Sequence, residues 1–161
     1  MTERVNPEII IYTDGAARGN PGPGGYGVVL LSGRHRKELS QGFKLTTNNR
    51  MELMAAVVGL ETLKVGPCKV TIYTDSKYVA DSVEKKWVIN WVKTNFKGKK
   101  NSDLWKRYLE VSARHYVKFV WVKGHASIPE NERCDQLAVA ASFLPSLPQD
   151  AGYQNINQDN I

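Results

Sequence analysis

An α/β domain with a partly parallel sheet is the fold class that the sequence predicts, and three observations carry it. Three strand-like runs are followed by an alternation of helical periods and further strand-like runs. The tetrapeptide Ile-Tyr-Thr-Asp closes two separate apolar runs, at Ile11 to Asp14 and at Ile72 to Asp75. A length of 161 residues, 42% of them apolar and 24% charged, suits one domain with a buried core.

The first strand runs from about Glu8 to Thr13. After a Gly/Pro loop, Gly27 to Leu31 and His35 to Leu45 read as two more strands, with a turn at Ser32-Gly33, completing an antiparallel meander. From Asn48 the period changes: Met51, Met54, Ala55 and Val58 fall at i, i+3, i+4 and i+7, marking a helix that ends near Gly66-Pro67. Lys69 to Thr74 is the fourth strand. Ser76 to Lys85 is helical, and a Trp- and Lys-rich stretch spans Trp87 to Lys100. Another helix runs from Ser102, which can cap it, to about Arg114, with Asp103 at its positive end. The alternating run Tyr116 to Val122 is the fifth strand, and a last helix extends from Pro129, a favourable first-turn residue, to about Phe143. Strands joined through helices pair in parallel. If the first and fourth strands are such neighbours, Asp14 and Asp75 emerge at one sheet edge roughly 5 Å apart.

Residues 1–144 are expected to form the domain, and residues 145–161, polar and without Lys or Arg, a flexible or loosely docked tail. Net charge is +6, and the tail contains Asp150 and Asp159, so the folded part is the basic part and favours an anionic partner. No apolar run approaches the ~18 residues that span a bilayer. The N-terminus lacks the apolar core of a secretory signal. Cys68 and Cys134 form neither a C-x-x-C pair nor a disulfide framework. A monomeric cytoplasmic protein with reduced thiols and no membrane partner is the expectation.

Four carboxylates stand where chemistry could use them: Asp14 and Asp75 at strand ends, Glu52 near the start of the first long helix, and Asp135 in the last helix. Alone, each has an ordinary reading as a turn former, a residue complementing a helix dipole or a solvated side chain. Gathered at one edge they would repel unless a cation held them, and hard oxygen donors select Mg²⁺ or Mn²⁺. Two such ions ~3.5–4 Å apart activate water and stabilise the leaving oxygen in phosphodiester cleavage. His125, in a loop between the fifth strand and the Asp135 helix, titrates in a range suited to proton transfer. The loop "GAARGNPGPGG" matches neither common nucleotide-binding pattern. From Glu84 to Arg107, eight Lys/Arg stand against two acids, interleaved with Trp87, Trp91, Phe96 and Trp105, a composition that suits a phosphate backbone plus sugar or base faces. Trp87 and Trp91, four residues apart, also fit a helix core, and Trp105 fits it better.

The ordered stretches "YTDGAARGNPGPGGYG", "TTNNRMELMAA", "YTDSKYV", "NSDLWKR" and "VKGHASIPENERCDQLA" resemble the ribonuclease HI family, the bacterial type-1 RNases H, from Ile9 to Ala141. The resemblance implies a mixed five-stranded sheet of order 3-2-1-4-5, strands 1, 4 and 5 parallel, with helices on both faces. It implies Asp14, Glu52, Asp75 and Asp135 as metal-binding catalytic carboxylates for two Mg²⁺ ions, which Mn²⁺ can replace, and His125 as an aid to proton transfer or product release. The implied reaction is endonucleolytic hydrolysis of the RNA strand of an RNA/DNA hybrid, giving 3′-hydroxyl and 5′-phosphate ends. The 2′-hydroxyl distinguishes the strands, and Asn20, Asn48 and Asn49 match the groups that face the RNA. Thr47 and Asn101 match a phosphate pocket for the DNA strand, and Tyr78, Trp87 and Trp91 an aromatic channel. The segment Trp87 to Lys100 corresponds to a basic protrusion, shorter here than in the longest relatives.

The chain departs from the family at several points. Leu45 replaces a phosphate-pocket arginine, leaving Lys44 or a lysine of the protrusion to supply that charge. Ala17 replaces a cysteine seen in some relatives, Lys77 replaces a neutral polar residue, and Ser127-Ile128 alters the loop after His125. A non-catalytic hybrid-binding module would break a carboxylate position, and none is broken. The Gly/Pro loop and the "TTNNRMEL" helix argue against another nuclease of the same superfold.

Overall fold

Strand β1 (Ile9–Ala17) is the centre of a five-stranded sheet of order β3-β2-β1-β4-β5, in a computed structural model that describes residues 8–124 and 128–153. β2 (Gly22–Ser32) pairs antiparallel with β1, and β3 (His35–Thr46) antiparallel with β2. β4 (Lys69–Thr74) lies parallel to β1 on its other side, and β5 (Tyr116–Trp121) parallel to β4. The predicted sheet order and strand directions are those observed.

The Gly/Pro stretch differs from expectation. β1 continues through Ala17 and β2 starts at Gly22, so much of the supposed loop is strand, closed by Arg18 N–H donating to the Pro23 carbonyl at 2.6 Å. Gly33, with φ +57°, supplies the left-handed residue of the next hairpin turn.

Helix α1 (Asn48–Glu61) is buried along most of its length against β1 and β2, while α5 (Pro129–Ser142) covers β1, β2 and β3. They take opposite faces because β2 alternates. Val28 faces Gly59 of α1, whereas a Cβ at Gly27 would fall on the Cys134 carbonyl of α5. Two ion pairs clamp α5 to β3, Arg133 to Glu38 at 2.8 Å and Arg36 to Glu130 at 3.1 Å. At such exposed positions solvent screens the pairs, so close packing rather than charge holds the helix.

Helix α2 (Lys77–Glu84) is capped by the Ser76 hydroxyl, which accepts from Val79 N–H. It packs against α3 (Trp87–Lys93), and α4 (Ser102–Ser112) packs against α1. Asn101, not Ser102, is the N-cap of α4. Its left-handed backbone (φ 66°) and lack of a side-chain cap leave its amide for other contacts, and Asp103 ion-pairs with Arg50. Trp105 is fully buried, Trp91 half-buried edge-on to it, and Trp87 exposed.

The tail expected from residue 145 is a further correction for Asp150. That side chain is buried and ion-paired with Arg50 at 2.7 Å, and Lys44 N–H donates to the Pro148 carbonyl at 2.8 Å, which fastens the segment to the edge strand β3. The buried cation overrides the polar composition of the segment. Gly27→Ala is expected to lower unfolding stability by roughly 1–3 kcal/mol, because its methyl would meet α5 backbone. A urea midpoint that falls with unchanged slope checks this.

Candidate active site

The β1–β4 register sets the site. Ile11 pairs with Ile72 and Tyr12 with Tyr73, and the two tyrosine rings stack with centroids 4.9 Å apart. Thr13 Oγ1 donates to the Tyr73 carbonyl at 3.1 Å, which carries the alignment to the strand ends. The doubled tetrapeptide thus delivers Asp14 and Asp75 side by side. Glu52 joins them because α1 presses close at Gly15, where a Cβ would overlap the Met51–Glu52 peptide. Along α1, Glu52 shares its stripe with Ala55, Ala56 and Gly59, small residues that permit the approach.

Ligand atoms of Asp14, Glu52 and Asp75 all lie within 4.8 Å of one another. Asp14 Oδ1 accepts from Gly15 N–H at 2.9 Å, but Glu52 Oε2 is buried and has no hydrogen-bond partner. Burial and the Asp75 charge push the Asp14 carboxyl up to about 7, although its hydrogen bonds with Glu52 and Gly15 pull the other way. Glu52 is held well above the usual carboxylate range by burial and by Asp14 and Asp75. Without a cation the cluster retains protons. An unpartnered buried oxygen within a group of hard carboxylate donors fits a divalent ion.

Asp135 lines the same cleft, of about 610 Å³, without belonging to the close triad, and its charge raises Asp14 further. Asn48, Asn49, Lys77 and Tyr78 also line it. Lys77 lies over the Trp121 ring at 4.8 Å, and the Trp121 indole N–H donates to the Asp75 carbonyl at 2.9 Å. His125 and Ser127 lie outside the described residues.

The expected substrate contacts fall into two groups. Asn48 Oδ1 accepts from Ala17 N–H at 2.7 Å, and Asn20 Oδ1 accepts from Asn48 N–H at 3.0 Å, joining the glycine-rich turn to the α1 start. Asn49, exposed, is next in line. On the other side, Thr47 caps α1 by accepting from Arg50 N–H at 3.2 Å. Asn101 donates to the Tyr78 hydroxyl at 3.1 Å, and the Trp105 indole donates to the same oxygen at 2.8 Å. Trp87 and Trp91 stand on α3 beneath Lys85 and Lys99, at 5.5 and 5.3 Å from the ring centroids. The sequence reading missed Arg50. Its spacing to Leu53, Met54 and Val57, all buried, was the available signal of a charge on a core-facing stripe.

Because Asp14 is raised from 3.8 to about 7, the folded protein holds a proton there that the unfolded chain releases. In buffer without divalent ions its stabilising contribution is therefore full below pH 3.8 and is lost as pH rises through about 7. Asp14→Asn should remove that part of the pH dependence and raise the melting midpoint at pH 8 by roughly 4 °C, measured by thermal unfolding.

Comparisons with known proteins agree with this geometry. The RNase H family model matches residues 6–143. A ribonuclease H of Rippkaea orientalis is 56% identical over 153 residues, covering 92% of this chain and 93% of its own. One from Trichodesmium erythraeum is 55% identical over 159 residues, covering 96% of this chain and 100% of its own. Among solved structures, LC9-RNase H1, a type 1 RNase H with the type 2 active-site motif, superposes with a TM-score of 0.78 at 30% identity, covering 88% of this chain and 74% of its own. LC11-RNase H1 in complex with RNA/DNA hybrid gives 0.66 at 28% identity, covering 83% and 96%. With its carboxylate-lined sheet edge, its sheet order and relatives that match it nearly end to end, the chain belongs to the RNase H family of hydrolases.

Proposed function

We propose that this ribonuclease H is an endonuclease that hydrolyses the RNA strand of RNA/DNA hybrids, with Mg²⁺ as its ordinary cofactor and Mn²⁺ as a substitute, leaving 3′-hydroxyl and 5′-phosphate ends. The observation that supports it most is the triad of Asp14, Glu52 and Asp75, closed to within 4.8 Å with one oxygen unpartnered. Together with Asp135 on the facing helix, these residues would hold two divalent ions. Such ions, when bound, supply Lewis acidity at the phosphoryl oxygens and a more acidic water. The chain's own part is to surrender the protons on Asp14 and Glu52, to keep the triad closed with Asp135 lining the same cleft, and to align the hybrid across it.

Alignment divides between the strands. Asn48 and Asn49 line the triad's cleft and Asn20 holds the Asn48 backbone, a polar edge that can read a 2′-hydroxyl. Thr47 and Asn101 face a DNA phosphate, and Tyr78, Trp87 and Trp91 offer aromatic surface beside it, with the lysines of residues 85–100 adding charge. His125 is assigned proton transfer or product release by its place in the family motif. The solved hybrid complex of a neighbour supports the substrate, and the protein is proposed to act as a cytoplasmic monomer. Among the described residues, no helix is long and apolar enough to cross a membrane.

End-labelled RNA/DNA hybrid should be cut within its RNA strand when Mg²⁺ or Mn²⁺ is present, while double-stranded DNA and double-stranded RNA survive. A hybrid left intact under both ions would refute the reading. Asp14→Asn and Asp75→Asn should each lower cleavage by about 10³-fold or more while hybrid binding persists, since either removes a charged oxygen donor. Near-parental cleavage by either variant would overturn the ligand assignment.

A further inference from the structure

Arg50 is a buried cation whose donors are all occupied. Its Nε donates to Asp150 Oδ2 at 2.7 Å, and Nη2 donates to Asp150 Oδ1 at 3.0 Å and Asp103 Oδ2 at 2.7 Å. Nη1 donates to Asp103 Oδ1 at 2.9 Å and to Asn101 Oδ1 at 3.3 Å. That uses the five N–H groups of a guanidinium. The Arg50 side chain is 1% exposed and that of Asp150 3%, although 100 residues separate them in sequence.

The same cluster supports the two residues proposed to grip a DNA phosphate. Arg50 N–H is the donor that Thr47 Oγ1 accepts, and Thr46 Oγ1, one residue earlier, donates to Asp150 Oδ2 at 2.7 Å. Asn101 presents its carbonyl to Arg50 and turns its amide donor toward Tyr78. Gly152 completes the seat: a Cβ there would overlap the Asp103 carboxylate and stand 2.7 Å from Arg50 Nη2. Arg50 has no donor left for a phosphate, so any effect it has on substrate is exerted through its neighbours.

We infer that Asp150 is a positioning residue for the DNA strand: through Arg50 it fixes Thr47 and Asn101 in the arrangement that receives a phosphate, so the segment beyond α5 sets affinity for the hybrid. This rests on the hybrid-cleaving function proposed above. Without the Asp150 charge, a buried guanidinium keeps one full counter-charge and must reorient, which releases its hold on Asn101 and on the α1 N-terminus. The carboxylate triad is built from β1, the end of β4 and Glu52 on α1, and none of its three side chains takes part in these contacts.

Two full-length variants test it, chosen to perturb the cluster differently. Asp150→Asn keeps the shape and removes the charge, whereas Gly152→Ala keeps every charge and displaces Asp103 and Arg50. Circular dichroism at the assay temperature establishes that each is folded. KM and kcat are measured on a defined hybrid at saturating Mg²⁺. The measurements are repeated on a series of hybrids, each with one neutral methylphosphonate in the DNA strand. The unaltered protein should lose affinity most sharply at one DNA phosphate. Each variant should raise KM about tenfold with kcat within about twofold, and should flatten that position-specific loss. Adding Asn101→Ala to Asp150→Asn should cost less than about twofold more, because the two act on one contact. If a folded variant merely melts earlier and keeps the parental KM and methylphosphonate profile, the inference is overturned, as it is if the parent cleaves hybrid with no sensitive DNA phosphate. If the parent cleaves no hybrid, the proposed function itself fails.

Discussion

The parallel pairing of β1 with β4 is the constraint on which the site depends. Because Ile11 lies beside Ile72 and Tyr12 beside Tyr73, the next two positions must bring Asp14 beside Asp75. Two unit charges ~4 Å apart repel by about 4 kcal/mol at an effective dielectric of about 20, and Glu52 adds a third. The stacked tyrosines, the Thr13–Tyr73 hydrogen bond and the central apolar strands hold that arrangement against its repulsion. In the absence of a cation, burial and that repulsion raise both Asp14 and Glu52 and so favour their protonated forms.

The fold thus contains two buried charge clusters with opposite chemistry. Around Arg50 every donor is matched, and Asp103 is held below the usual carboxylate range chiefly by Arg50 working against its burial. Around Glu52 one carboxylate oxygen has no partner, and like charges face each other. A matched cluster fixes geometry, and an unmatched one keeps binding capacity for a missing positive charge. Both reach α1 within its first turn and a half, at Arg50 and at Glu52, so one helix start carries a carboxylate of the triad and the contacts that hold Thr47 and Asn101, the residues proposed to receive a phosphate.

Much of this was legible in the sequence, for physical reasons. Period-2 and period-3.6 patterns located the five strands and the principal helices, and the repeated Ile-Tyr-Thr-Asp encoded a register that backbone pairing then realised. Glu52 at the helix start and Asp135 in the last helix stood out as candidate carboxylates from their positions, and the family resemblance implied their metal-binding role. Asp150 was misread because its polar surroundings look like a tail, while the partner that buries it lies 100 residues earlier. Ser102 was a reasonable cap by type, but Asn101 tolerates the left-handed backbone and takes the position. The Gly/Pro stretch was read as a turn because glycine favours turns, whereas several of its glycines exist here to admit neighbouring backbone.

The most direct measurement is the proton balance of divalent-ion binding. Calorimetric titration of Mn²⁺ into the protein, in two buffers of different ionisation enthalpy, counts protons released per binding event at pH 6 and again at pH 8.5. If the carboxylates share protons that a cation displaces, release at pH 6 should exceed release at pH 8.5 by about one, with Asp14 as the group that has titrated between them. Equal release at both pH values, or no release at pH 6, would contradict a strained carboxylate cluster built to hold a metal ion.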